Sequence, residues 1–199
     1  MQTTCDKIDA GALRDRVCLL ALGYDEEHRR WSWEPVLGCF LRVSAELSEK
    51  TNLFSKVGIG ARDVSFVLRH WNDLSPANAL SWDGPGGWEH CFITAVEPID
   101  RLYDRVRCAR VSLADCIAEA NHEPTGPQFP GILTEKYVGH EQLDPLAVNI
   151  ITYVLVTPKA VELKRGSIVE VDGVPYEVLT GHLLDQWKNE FEIGRTVDL

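Results

Sequence analysis

The chain has 199 residues, 45% apolar and 25% charged, with 15 glycines and 10 prolines. That composition excludes collagen-like, coiled-coil and disordered chains, and no run approaches the ~18–20 apolar residues of a membrane helix. Lys and Arg total 20 against 30 Asp and Glu, a net charge of −10, and no block of cations appears, so a phosphate-gripping reader of nucleic acid is not expected.

Residues 1–12 carry Asp6, Lys7 and Asp9 without an apolar run, so no secretory signal is expected there. Six cysteines, at 5, 18, 39, 91, 108 and 116, include no Cys-x-x-Cys pair. They predict reduced, buried thiols. His90, Cys91 and His122 match no zinc-ligand spacing.

The chain reads as strands from end to end. Residues 13–22 form a first β-rich run, followed by a polar turn at 23–28. A second strand runs over 31–43, with Trp31 and Trp33 sharing a face and Leu37, Cys39, Leu41 and Val43 sharing a face. Residues 44–62 lose this pattern and predict a long polar loop, unusual inside a small domain. Further strands follow at 63–71, 79–82, 89–96 and 103–111, with an expected bulge near Ala109. Residues 113–120 read as a brief helix. The stretch 121–131 holds three prolines and two glycines and reads as a linker. Strands are then expected at 132–141, 147–157, 167–171, 174–179 and 188–195, the middle pair joined by Asp172-Gly173, a strong hairpin signal.

Two segments echo each other: residues 65–113 with their Asp83-Gly84, and residues 152–199 with their Asp172-Gly173. Similar spacing predicts the same strand order in both. The expected fold is all-β with little helix: two tandem small antiparallel barrels, residues 1–116 and 132–199, joined by a Pro/Gly-rich linker at 117–131.

Catalytic motifs are scarce. No Gly-x-Gly-x-x-Gly, phosphate loop or Gly-x-Ser-x-Gly elbow occurs. His70 beside Trp71 reads as a rim residue of a barrel, Asp25-Glu26-Glu27 as a solvated turn, and the six tryptophans as packing. Neither catalysis nor a cofactor is expected.

In this order, residues 11–20 (GALRDRVCLL), 31–36 (WSWEPV), 41–47 (LRVSAEL), 64–69 (VSFVLR), the hairpin at Asp83-Gly84 with residues 92–96 (FITAV), and the charged strand 104–111 resemble the head–tail joining proteins of tailed bacteriophages, the head-closure or stopper group. Residues 163–178 (LKRGSIVEVDGVPYEV) look like closing strands of the same group and of phage tail-attachment proteins. A second barrel and the extra Pro85-Gly86-Gly87 depart from the usual single small barrel.

The resemblance implies a structural, non-enzymatic virion protein of the neck, assembled in the host cytoplasm. It implies a six- or twelve-fold ring between a portal or adaptor and a tail terminator or tail tube, close to double-stranded DNA without reading it, and away from membranes. It places Glu46, Glu49, Lys50, Asn52, Phe54, Lys56 and Ile59 in a loop facing the channel or a neighbouring subunit. Asp83, Gly84, Asp172 and Gly173 become tail- or neck-facing hairpins. On this reading, deleting residues 48–60 spares the fold and damages tail joining or DNA retention. The alternative is a cytosolic β-barrel binding or enzymatic domain unrelated to virions.

Overall fold

The computed structural model describes residues 10–47, 62–84, 86–119, 125–136, 152–183 and 185–195. Among these, one 3-10 turn (Ala10–Ala12) and twelve strands occur, and no α-helix, so the fold is all-β. The first six strands are β1 (Asp15–Asp25), β2 (Arg30–Leu47), β3 (Arg62–Arg69), β4 (Ala79–Gly84), β5 (Gly87–Pro98) and β6 (Tyr103–Val111). The second six are β7 (Ala114–Ala118), β8 (Gln128–Lys136), β9 (Thr152–Pro158), β10 (Ile168–Val171), β11 (Val174–His182) and β12 (Lys188–Arg195).

Hydrogen bonding links β1–β4–β5–β6–β3–β2, and β2 pairs back onto β1, so six strands close a circuit. The second six repeat it strand for strand, β7–β10–β11–β12–β9–β8, with β8 back on β7 and β9. Pairing is antiparallel throughout each circuit, and one parallel bridge, Arg30 to Gln128, joins the two ladders.

The repeat extends to single residues. In β5 the register slips between Ile93 and Ala95, opposite Cys108 and Arg107. In β11 it slips between Val178 and Thr180, opposite Ile193 and Glu192. The expected irregularity near Ala109 therefore lies on the partner strand. Across β3 and β6, Phe66 faces Val106; across β9 and β12, Leu155 faces Phe191. The large ring has changed strands, and one aromatic plus one aliphatic side chain fills the same layer in both halves. All four are fully or almost fully buried.

Alternation along the strands builds one interior per circuit. Val17, Val43, Phe66, Leu80, Trp82 and Ile93 anchor the first. Phe129, Leu155, Val169, Tyr176, Phe191 and Ile193 anchor the second. A third cluster, Phe92, Ala109, Ile132 and Val156, uses the opposite faces of β5, β6, β8 and β9. It packs the two circuits against each other.

Gly131 marks where the copies differ. It faces Ala114 as Val43 faces Asp15 in the first half. A Cβ there would come within 2.7 Å of Cys116 Sγ and 2.8 Å of Leu155 Cδ1. Those side chains occupy the volume that valine fills in the other circuit. Gly131→Ala is expected to cost about 1–3 kcal/mol by overpacking, read as a lowered urea midpoint.

Several expectations are corrected. Residues 114–118 are not helical: they are β7, held between β8 and β10. This strand opens the second circuit, so the link between circuits is the dipeptide 112–113, and the Pro/Gly-rich stretch is the β7–β8 connection. Phe129 and Pro130, placed in the linker, lie in β8. The Asp83-Gly84 pair is not the turn. Trp82 faces Glu89, and the ladder continues through Asp83–Trp88 and Gly84–Gly87, so Asp83 and Gly84 are paired strand residues. Asp172-Gly173 does form the β10–β11 turn, with φ of 49° and 80°, the two left-handed positions an Asp-Gly hairpin turn needs. Leu37 leaves the face of Cys39 and Val43. It is 98% exposed, because the β1–β2 register jumps there and Gly38 takes φ 73°.

Candidate functional site

The residues expected to act together fall apart. Glu46 is a β2 strand residue facing Ser65, not part of a loop. Glu49, Lys50, Asn52, Phe54, Lys56 and Ile59 lie outside the described residues. Asp83 and Gly84 are strand residues of a lengthened hairpin, whose exposed Trp88 faces Asp83. Asp172 is tied down: its N–H donates to Asp115 O and its Oδ1 accepts from Asp115 N, both at 2.9 Å. His90 and Cys91 are consecutive on β5 and point to opposite faces; His122 lies outside the described residues. Burial alone lowers the His90 imidazole to about 4. Burial also pushes the thiols of Cys18, Cys91 and Cys116 up to about 12 and that of Cys108 well above its ordinary value, so these sulfurs are poor nucleophiles. Among the described residues no three His, Cys, Asp or Glu side chains come together as a metal-binding group.

An open cleft of about 390 Å³ lies against the first circuit, walled by Phe40, Arg42, Arg69, His70 and Trp71. Strand register brings them there. Val17, Val43 and Leu68 point into the interior, so Arg16, Arg42 and Arg69, one position away on β1, β2 and β3, point outward. Arg16 sits directly opposite Arg42. Arg69 adjoins the Val43–Leu68 pair. Arg16 also lies over the Phe40 ring, 5.2 Å from its centroid, and Arg42 Nη1 donates to Arg14 O at 3.2 Å. No carboxylate among the described residues pairs with Arg16, Arg42 or Arg69.

His70 forms the wall beside Arg69. Its Nδ1 lies 2.9 Å from Asp104 Oδ2, and its Nε2 lies 2.9 Å from Asn72 Oδ1. Two acceptors around one ring make both nitrogens donors, the imidazolium form. The Asp104 hydrogen bond, with Asn72 adding to it, raises the His70 pKa. Asp104 is 1% exposed and also accepts from the N–H of Trp71 at 3.4 Å. The result is a His–Asp pair without a vacant ring nitrogen, and its use is to hold the turn after β3.

A raised pKa in the folded state stabilises the fold fully below the ordinary histidine value and loses that contribution as pH rises through the folded value. The His70 contribution is therefore expected to fall as pH rises above the ordinary histidine value of ~6.5, where neutral His90 no longer adds a slope of its own. His70→Gln should flatten that slope in urea midpoints measured across the range.

Two parts of this site were missed in the sequence. The three arginines come from separate stretches and only register unites them. Asp104 reads as one more charge on a charged strand, and its signal was the repeat: Asn189, also 1% exposed, holds the same place on β12. No protein family profile, curated protein or solved structure matches the chain.

Proposed function

We propose that the chain is a structural subunit of a phage neck: a ring-former between portal or adaptor and tail that closes the filled head and docks the tail. The reading takes the two strand circuits as small barrels in tandem. The observation that carries it is the duplicated circuit itself. Each interior is filled by its own side chains, with Phe66, Leu80, Leu155, Phe191 and Ile193 at 0% exposure. Such a unit offers its outer surface for use, as a building block does.

The lengthened β4–β5 hairpin supports a contact role, since it carries Trp88 at 60% exposure, an aromatic of the kind enriched where subunits meet. The net charge of −10 suits a wall along which DNA slides without sticking.

Reconstruction of native particles tests the proposal. A six- or twelve-fold ring of this chain beneath the portal is the expected result. A single copy, or a place outside the neck, overturns it. Trp88→Ser is expected to leave the urea midpoint within about 0.5 kcal/mol of wild type, as surface changes do, while lowering incorporation into particles.

A second reading, a binding module, is favoured by one observation, the arginine-walled cleft.

A further inference from the structure

We propose that the cleft between β2, β3 and the turn after β3 is a binding site for a nucleoside phosphate, its phosphates on Arg42 and Arg69 and its base against Phe40 and Trp71. The proposal does not depend on the neck reading.

Like charges directly opposite on neighbouring strands are destabilising, yet Arg16 stands opposite Arg42, and Arg69 continues the row on the next strand. In a chain with 30 acidic residues against 20 basic, carboxylates are plentiful, but none among the described residues pairs with these three. A row of guanidinium forks with no anion among the described residues suits an external one, because two parallel N–H bonds match phosphate geometry. Two of them, Arg42 and Arg69, line the cleft on strands about 4.8 Å apart, close enough to hold one phosphate group between them.

Phosphate alone leaves the rest of the cleft unexplained. Phe40 is 59% exposed, although it sits on a strand whose neighbours Cys39 and Val43 are buried. Trp71 packs one side on the first interior and gives its remainder to the cleft. Aromatic faces beside arginines stack a flat ring. The volume of about 390 Å³ lies within the ordinary range of small-ligand sites, ~300–1,000 Å³. A flat ring joined to phosphate satisfies both parts of the wall, as neither inorganic phosphate nor a plain acidic chain does. The overall negative field opposes anions at long range, so binding is short-range and weakens with salt.

The same chemistry arrives either as a free nucleotide or as a unit of single-stranded nucleic acid. Titration calorimetry of the full chain separates them with four probes: adenosine diphosphate, a short oligothymidylate, inorganic pyrophosphate and an oligoglutamate peptide. Adenosine diphosphate or oligothymidylate is expected to bind at least about tenfold tighter than pyrophosphate, the share of one stacked base. The tighter of the two identifies the source. Arg42→Gln and Arg69→Gln should each weaken every phosphate probe by about tenfold.

Phe40→Ala should weaken the base-bearing probes and leave pyrophosphate unchanged. Arg42→Gln should also unfold at a urea midpoint close to wild type, since relief of the Arg16–Arg42 repulsion offsets the lost hydrogen bond to Arg14 O. If it fails to fold, Arg42→Lys, which keeps the charge without the fork, is expected to weaken binding several-fold. Absence of binding by all four probes, unchanged binding in the arginine variants, or oligoglutamate as the tightest probe overturns the proposal.

Discussion

Phe66→Ala and Phe191→Ala should each cost about 3–5 kcal/mol, the range for deleting a buried ring that the surroundings cannot refill. Both side chains are 0% exposed. Phe66 also meets Trp82 edge to face, with centroids 5.5 Å apart, a contact worth a further ~0.5–1.5 kcal/mol beyond area. Domains of this size hold only about 5–15 kcal/mol in total, so either variant removes a large share. The two positions lie in different circuits, which makes the pair a test of cooperativity. The link between circuits is two residues long, and Phe92, Ala109, Ile132 and Val156 pack across the junction. The wild type is therefore expected to unfold in one transition, and each interior variant to shift all of it. Phe92→Ser, which weakens the junction and spares both interiors, should split the urea curve in two. A Phe66→Ala curve in which only part of the signal moves would show that the circuits unfold separately.

Legibility followed the range of the interactions involved. The final strand of each half was readable to the residue, Tyr103–Val111 and Lys188–Arg195, because alternation over most of each strand is a local signal. The Asp172-Gly173 turn was readable for the same reason. Residues 114–118 were not: five residues with apolar members fit a helical turn as well as a strand, and pairing with β8 and β10 decides the matter. Three prolines and two glycines in 121–131 exclude regular structure from part of that stretch, but composition does not say which elements it joins. In the first half, Asp83-Gly84 lost its turn because four more residues extend the hairpin, and a longer ladder moves the reversal to its new tip. The cleft was the least legible feature. Its cations lie on strands far apart in sequence, and a one-residue slip in register would have turned them inward.

The equivalent buried positions Asp104 and Asn189 carry the sharpest expected contrast. Asp104 faces donors, the His70 ring and the Trp71 N–H. Asn189 faces acceptors: its Nδ2 donates to Lys159 O at 3.2 Å and to Val161 O at 2.8 Å. Each pins the nine-residue turn that follows β3 or β9, but with opposite polarity. Asp104→Asn keeps an acceptor for Trp71 and offers His70 a donor, which a neutral imidazole accepts. It should cost about 1 kcal/mol, one hydrogen bond's worth, and abolish the loss of stability at rising pH. Asn189→Asp has no such escape. An ionised carboxylate would be buried against two carbonyl oxygens with nothing to donate to it, which should cost about 3–5 kcal/mol at neutral pH. Burial and the carbonyls favour its protonated form, raising its folded pKa above the unfolded carboxylate value near ~3.9. A raised folded pKa places the missing stability at low pH, so the variant should approach wild type as pH falls towards ~4 and lose stability as pH rises. Urea midpoints of both variants at acid and neutral pH check the pair. If Asn189→Asp is as stable as wild type at neutral pH, position 189 does not hold its turn by donating.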